Sequence, residues 1–449
     1  TTGMGTDQGK TSNVNALAIL AQTTGETIGT TGTTTFRPPY TPVGYGMLGG
    51  RNVDHLFDPV RRTALHQWHG DHSAVFEDVG QWKRPWYYPR PGEAMDDAVN
   101  RECLAVRHGL GIMDASTLGK IDIQGPDACE FLNRVYTNAW DSLAVGHGRY
   151  GFMLGDDGMV FDDGVTSRLG ENHYLMTTTT GGAARVLAWL EEWSQTEWPR
   201  LKVHFTSVTT QWSVVAIQGP RARDLMADVC HDIDLSRDAF PFMSWRDGTV
   251  AGIPARVFRV SFTGELSYEI NVASSYATAL WQALMTAGAK YDITPYGTEA
   301  MHILRAEKGF VVVGHDTDGT VTPQDLGMDW IVSKKKKDFI GKRALSRPDT
   351  VRDDRKQFVG LLTEDPETVV PEGAQIVSEV WPKPPMPMEG HVTSSYWSAA
   401  LGHSIAMALL ERGHARHGEM VNISLQNRMV RAKVTAPQFY DLEGEKIRA

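Results

Sequence analysis

Two stretches of this chain follow one plan, and that repetition restricts the folds open to it. "GKIDIQGPDACEFLNRVYTN" reads as a strand, a Gly-Pro-Asp turn, and a helix with Asp127 in its first turn. "VVAIQGPRARDLMADV" gives the same order of strand, Gly-Pro and helix. The two QGP units, at 124–126 and 218–220, therefore predict an internally duplicated α+β region. With 449 residues the chain is long enough for two or three domains with their own cores.

The texture changes twice along the chain. Residues 1–95 are rich in Gly, Thr and Pro, and only "SNVNALAILAQTTG" reads as a helix, with Ser12 or Asn13 as N-cap and Gly25 near its end. This part is expected to be an extended arm that packs on another domain or chain. Residues 96–350 are regular α+β. Within them "AARVLAWLEEWSQTEW" places Val186, Trp189, Leu190 and Trp193 on one helical face. "ARVFRVSFTGELSYEINV" alternates as a hairpin, with Phe258, Val260 and Phe262 on one side and Thr263-Gly264 at the turn. "YATALWQALMTAG" and "GTEAMHILRAEKG" read as helices, and "DFIGKRALSRPDTVRDDRK" as a charged linker. Residues 351–449 carry short strands and turns and are expected to close a small β-barrel.

Composition narrows the function classes. A formal charge of −10 argues against a nucleic-acid partner, which calls for a basic face. No apolar run reaches the roughly eighteen residues of a membrane span, and no signal-peptide pattern stands out. Cys103, Cys129 and Cys230 are scattered, which suits a reducing, cytoplasmic setting better than a disulfide framework or zinc site. The chain begins Thr-Thr-Gly rather than Met and reads as the C-terminal part of something longer. "GMGTDQGKTSN" at 3–13 nearly matches a phosphate loop, but the required first glycine falls on Met4 and no strand precedes it.

Two acidic features stand out as candidate chemistry. "RYGFMLGDDGMVFDDGVTSRL" carries Asp162-Asp163 within a strand, where aspartate is disfavoured. Adjacent strand residues point to opposite faces, so at most one of the pair should enter a given cavity. There it could act as a general base or stabilise a cation at a substrate nitrogen; the competing reading is a pair that caps a turn or bulge. Glu265 and Glu269 follow the hairpin turn, and Glu269 has the opposite parity to Tyr268 and Ile270. A carboxylate facing a cleft accepts two adjacent N–H groups of an amidine-like edge; an ordinary solvent-facing glutamate is the alternative. His66, His69 and His72 in "HQWHGDH" read as a solvated cluster, since no metal-ligand pattern accompanies them. Lys334–Lys337 read as a solvated turn more readily than as a polyanion site. "TTTTGG" at 177–182 could line a pocket or simply fill a strand end.

Six motifs, in order, resemble the T-protein of the glycine cleavage system and the folate-binding aminomethyltransferases. They are "MDASTLGKIDIQGPDA", "GMVFDDGV", "FTGELSYEI", "LRAEKGF", "GMDWIVSKKKKDFIGKRAL" and "GHVTSSYWS". "VGQWKRPWYYPRPGE", "ECLAVRHGLGIMD", "FLNRVYTN" and "MTTTTGGAARVLAWLEEW" are similar to one branch, the C-terminal half of the α subunit of heterotetrameric sarcosine oxidases. "GKTSNVNALAIL" and "GTTTFRPPYTPV" resemble the joining segment of that branch. In it a "GMGxCQGRxC" segment occurs at this junction, and Asp7 and Ser12 stand where its cysteines would be, so thiolate ligation is lost and a connector is implied.

The resemblance implies an α+β, three-domain aminomethyltransferase-like cloverleaf around a central channel, with a C-terminal β-barrel domain. It implies tetrahydrofolate as one-carbon acceptor and a flavin-bearing subunit among the partners of a hetero-oligomer, with flavin and NAD on partner parts. No Gly-x-Gly-x-x-Gly fingerprint follows a strand in this chain. By the resemblance, Asp163 is the catalytic aspartate near the folate nitrogens, and Glu269 holds the pterin's amino-pyrimidine edge. Tyr174, Thr178, Thr179, Trp330 and Tyr396 align with pocket-lining positions. Phe262 stands where many members have tyrosine, and Met301 where the "GARD" arginine of the family falls. The implied activity is folate-dependent one-carbon transfer, taking the iminium or formaldehyde from sarcosine oxidation to 5,10-methylenetetrahydrofolate. A self-standing aminomethyltransferase or demethylase, and a non-catalytic scaffold for oxidoreductase subunits, are the alternatives.

Overall fold

A computed structural model describes residues 21–27, 61–383, 385–426 and 428–449. The chain divides into two units, Thr1–Val60 and Arg61–Ala449. In the first, residues 21–24 are helical and Gly25 takes φ +73°, which ends the helix in the left-handed region open to glycine. The phosphate-loop-like segment at 3–13, with Asp7 and Ser12, lies outside the described residues, as does most of the expected arm.

The second unit begins earlier than the sequence boundary near residue 95. Helix α1 (His66–Asp71) and the hairpin of β1 (Val75–Val79) and β2 (Trp82–Tyr87) already belong to it. The histidine-rich stretch belongs to the body and is solvated only in part: His72 is exposed, His66 half-buried and His69 buried. His69 is fully buried, with Nε2 3.2 Å from Asp114 Oδ2 and Nδ1 2.9 Å from the Tyr88 hydroxyl. Its burial rests on paired polar groups, which leave no apolar periodicity to read.

The duplication is visible in the sheets. The first copy comprises β4 (Gly119–Gln124), α3 (Ala128–Val135), β5 (Gly148–Leu154), β6 (Val160–Gly170), β7 (His173–Thr178), α4 (Ala183–Thr196) and β8 (His204–Ser207). Before it stand α2 (Met95–His108) and β3 (Gly111–Asp114). The second copy comprises β9 (Trp212–Gln218), α5 (Ala222–Val229), β10 (Trp245–Val250), β11 (Ile253–Phe258), β12 (Ser267–Ala273) and α6 (Ala277–Gly288). Sheet order is β5-β6-β7-β4-β8 in one, and β10-β11-β12-β9-β3 in the other, extended by a short β13 (Thr294–Pro295). Each QGP strand thus sits fourth, beside the third strand of an antiparallel meander. Gly125 (φ +141°) and Gly219 (φ +124°) make the equivalent turns. A Cβ at Gly125 would lie 2.1 Å from the Lys202 carbonyl oxygen, so the turn requires glycine.

Each sheet buries one face under its helices. Ile121 and Ile123 pack with Phe131, Leu132, Val186 and Leu190; Val215 and Ile217 pack with Leu225, Leu280 and Trp281. As the pattern predicts, Val186 and Leu190 are buried, with Trp189 and Trp193 packed beside them. The opposite faces of the two sheets are left for the cavity described below.

Helix α7 (Thr298–Glu307) is tied down by buried ion pairs. Arg107 bonds Glu307 at 2.6 Å and Glu265 at 2.9 Å, and Arg305 bonds Asp316 at 2.5 Å and Ser394 at 2.7 Å. Glu265 is therefore internal architecture, also bonded by the Tyr440 hydroxyl at 2.8 Å. The C-terminal strands β14 (Lys356–Thr363), β15 (Gln375–Val377), β16 (Met388–Ser398), β17 (His403–Glu411), β18 (Met420–Ser424) and β19 (Met429–Thr435) close a six-stranded barrel. The segment expected as a charged linker is built into the body. Ile340 packs in the first-copy core. Of the lysine run expected as a solvated turn, Lys334, Lys335 and Lys337 are exposed, but Lys336 turns inward and donates to the carbonyls of Tyr136 (2.5 Å) and Asn138 (3.1 Å).

Candidate functional site

The β5–β6 hairpin divides the work of the aspartate pair. Phe152 pairs with Asp163 and Met153 with Asp162, but Leu154 pairs with Val160, so Phe161 is the extra residue of a bulge. Asp162 is buried and serves this geometry: it accepts from Thr179 N (3.1 Å), Thr179 Oγ1 (2.9 Å) and its neighbour Asp163 N (2.9 Å). Asp163 is left to face the cavity, where its Oδ2 accepts the Tyr150 hydroxyl at 2.6 Å. The two members differ: Asp162 caps the bulge and turn, and Asp163 is the one whose carboxylate meets Tyr150 at the cavity. The bulge and the turn also let both residues border the cavity, against the simple alternation rule.

Gly182 closes this corner. A Cβ there would meet Asp162 Oδ2 at 2.0 Å, so the 179–182 turn seats the carboxylate only with glycine. Thr179, expected as a pocket-lining residue, does line the cavity and is also engaged twice, donating to Asp162 and accepting from Gly182 N at 3.1 Å. Thr179→Val is accordingly expected to destabilise the protein by about 1–2 kcal/mol, since it leaves a buried carboxylate short of one donor. Urea unfolding measures this; a midpoint unchanged from wild type refutes it.

Burial raises the Asp163 carboxyl to about 7; the Tyr150 hydrogen bond opposes this and the Asp162 charge adds to it. Tyr150 escaped the sequence reading. Counting register from the turn at 156–158 would have set it diagonally across from Asp162; only the bulge at Phe161 shifts Asp163 onto its face.

The second sheet supplies the other carboxylate. Tyr268 and Ile270 on β12 are fully buried in the core, and the opposite parity turns Glu269 into the cavity as expected. Among the described residues no donor hydrogen-bonds or ion-pairs with its carboxylate. Burial raises it to about 7, and the charge of Lys120 opposes the rise. Lys120 lines the same wall, donates to the carbonyls of Ser116 and Leu118 at 2.8 Å each, and is lowered by burial to about 8. Its signal in sequence was a lysine at the parity opposite to Ile121 and Ile123.

These groups border one cavity of about 1560 Å³, walled by both sheets, by the 309–333 segment and by Phe358, His414 and His417 of the barrel domain. Phe258, Val260 and Phe262 line it, with Phe262 stacked 6.1 Å from Phe310. Thr178 and Met301 also line it, as does Trp330, whose side is 69% exposed. Two expected residues lie elsewhere. Tyr174 shares the parity of Met176 and is buried in the helix-covered core, under the Arg168 guanidinium at 5.6 Å. Tyr396 packs between α7 and the barrel, outside the cavity wall. Among the described residues no group of His, Cys, Asp or Glu is arranged to hold a metal, and no helix is long and apolar enough to cross a membrane. A mostly apolar chamber with two carboxylates poised near neutrality can grip a flat, N–H-bearing heterocycle and move a proton at its nitrogens.

Comparison with known proteins agrees with this geometry. Residues 65–336 match the GCVT N-terminal domain, 356–441 the glycine cleavage T-protein C-terminal barrel domain, and 1–51 the sarcosine oxidase A3 domain. Sarcosine oxidase subunit alpha of Corynebacterium sp. (strain U-96) is 54% identical over 444 residues, which is 98% of this chain and 46% of that protein. The chain thus spans about half the length of such relatives. An aminomethyltransferase of Saccharopolyspora erythraea is 31% identical over 385 residues, 85% of this chain and 98% of that protein. In fold, the glycine cleavage system aminomethyltransferase T of Bartonella henselae superposes with a TM-score of 0.73 at 24% identity, covering 85% of this chain and 98% of its own.

Proposed function

The chain belongs to the glycine cleavage T-protein family, and from that premise we propose that its cavity binds tetrahydrofolate and loads it with a one-carbon unit. One observation carries the reading: Glu269 is a half-buried carboxylate with no donor among the described residues, and it lines the same apolar chamber as Asp163. A buried carboxylate without partners is costly, and a ligand presenting two adjacent N–H groups relieves that cost. The amino-pyrimidine edge of a pterin has that form.

Glu269 would fix the pterin, and Phe262, Phe258 and Val260 would exclude water around it. Asp163, steered by Tyr150, would take a proton from a folate nitrogen as it attacks a methylene iminium. With the iminium of N-methylglycine as donor the balance closes: both folate N–H protons leave, the methylene group bridges the two nitrogens, and glycine departs as its ammonium form. With formaldehyde, water departs instead.

The iminium source would be a flavin-bearing partner subunit in a sarcosine-oxidase-like hetero-oligomer. The 54% identity to such an α subunit and the A3-domain match at 1–51 favour this setting over a self-standing aminomethyltransferase. Free thiols at Cys103, Cys129 and Cys230 suit a reducing cytoplasm. Titration of tetrahydrofolate, followed by calorimetry, tests the reading. Saturable one-to-one binding is expected; its absence removes both transfer readings and leaves a scaffold.

A further inference from the structure

Arg84 on β2 is 9% exposed and lines the same cavity. Its guanidinium has no hydrogen-bond acceptor or ion-pair partner among the described residues, and its Nε is buried without one. The other cavity arginines are engaged: Arg149 donates to the Ala139 carbonyl, and Arg185 to that of Phe161 at 2.8 Å. None of the nearby carboxylates hydrogen-bonds or ion-pairs with Arg84, although the charges of Glu77 and Asp114 act on it from a distance. Glu77, opposite Arg84 in the β1–β2 register, accepts the Thr298 hydroxyl at 2.5 Å. Glu299 accepts Trp86 Nε1 at 2.8 Å, and Asp114 is bound by His69 and Thr63.

His302 on α7 lines the cavity beside Met301, with its Nδ1 buried and unpartnered and its ring 6.1 Å from that of His315. Burial and the Arg84 and Arg305 charges lower it to about 3, so it is a neutral ring with a nitrogen to spare.

An isolated buried cation is strongly unfavourable unless a counter-ion meets it. The Arg fork matches a planar carboxylate through two parallel hydrogen bonds. We propose that Arg84, with His302 beside it, forms a carboxylate-binding subsite of the cavity. Two sources share that chemistry: the glutamyl tail of tetrahydrofolate, and the glycine-derived carboxylate of the one-carbon donor. The first source rests on the folate reading; the subsite itself does not.

Calorimetry on the full-length protein separates these cases, with tetrahydrofolate, 6-methyltetrahydropterin (which carries no carboxylate) and N-methylglycine as probes. If the tail is the ligand, Arg84→Gln weakens tetrahydrofolate about ten- to a hundredfold and leaves 6-methyltetrahydropterin unchanged. If the donor is the ligand, Arg84→Gln spares both pterins and abolishes N-methylglycine binding. Equal affinities of wild type and Arg84→Gln for all three probes overturn the subsite. Should wild type bind neither pterin, the folate reading fails, and the N-methylglycine arm alone decides: loss in Arg84→Gln supports the subsite, and no binding by wild type overturns it. Arg84→Lys keeps the charge but not the fork and is expected to recover only part of the affinity. It carries the same comparison if Arg84→Gln does not fold.

Discussion

Glu269→Gln is expected to weaken tetrahydrofolate binding about a hundredfold. A carboxylate offers acceptors to both N–H groups of an amino-pyrimidine edge, whereas an amide turns one acceptor into a donor facing another donor. Charge-assisted hydrogen bonds contribute about 1.5–3 kcal/mol each, and about 2.7 kcal/mol corresponds to two decades of affinity. The raised carboxyl adds a pH signature. The ligand needs the ionised form, and the free group sits near 7, so wild-type affinity should climb between pH 6 and pH 8. The Gln variant should lose that slope.

Stability moves the other way. A carboxyl raised in the folded state is ionised more easily when unfolded, so its cost is absent below pH 4.5 and fully developed above about 7. Glu269→Gln should therefore gain about 2 kcal/mol at pH 8, discounted for the water the cavity admits, and nothing near pH 4. Calorimetry across this pH range, with urea unfolding at both ends, reads both effects. Wild-type affinity in the Gln variant would sink the assignment.

What the sequence disclosed and what it hid divide along one physical line. Period-two alternation put Phe258, Val260 and Phe262 on one side and turned Glu269 away from Tyr268 and Ile270, and all four line the cavity. The repeated QGP turn announced the duplication because a glycine at positive φ cannot be replaced without striking backbone. Polar burial stayed hidden. His69 enters the core through Asp114 and Tyr88, neither of which is near it in sequence, so a histidine-rich stretch looked solvated. Arg84 sat unremarked in "QWKRPWYY" for the same reason, since only the fold shows that nothing pairs with it. Tyr174 and Tyr396 failed as pocket residues because alignment to a motif carries a position but not its parity. Tyr174 follows Met176 into the helix-covered core. The Asp162-Asp163 pair was noticed as unusual, yet its division of labour needed the bulge at Phe161, which no local pattern encodes.

Asp163→Asn is expected to slow methylene transfer about 10³-fold while changing tetrahydrofolate affinity by no more than about threefold, as befits loss of a positioned general base. The amide keeps the volume and can still accept from Tyr150 through its oxygen, so the hairpin should hold. It cannot take the proton, nor stabilise positive charge as the folate nitrogen forms its new bond. In wild type the transfer rate should rise with pH through about 7, as the buried carboxyl ionises. That limb should vanish in Asp163→Asn. Tyr150→Phe supplies the internal control. The hydroxyl donates to the ionised carboxylate and holds its pKa down, so its removal should raise the pKa further and move the limb to higher pH. Asp162→Asn is expected to act differently: its carboxylate supports the 179–182 turn, so the variant should lose stability before it loses the pH limb. Single-turnover formation of methylenetetrahydrofolate from added formaldehyde, followed from pH 5.5 to 8.5, isolates this step from amine oxidation. A wild-type rate and an unmoved pH limb in Asp163→Asn would show that the proton leaves by another route.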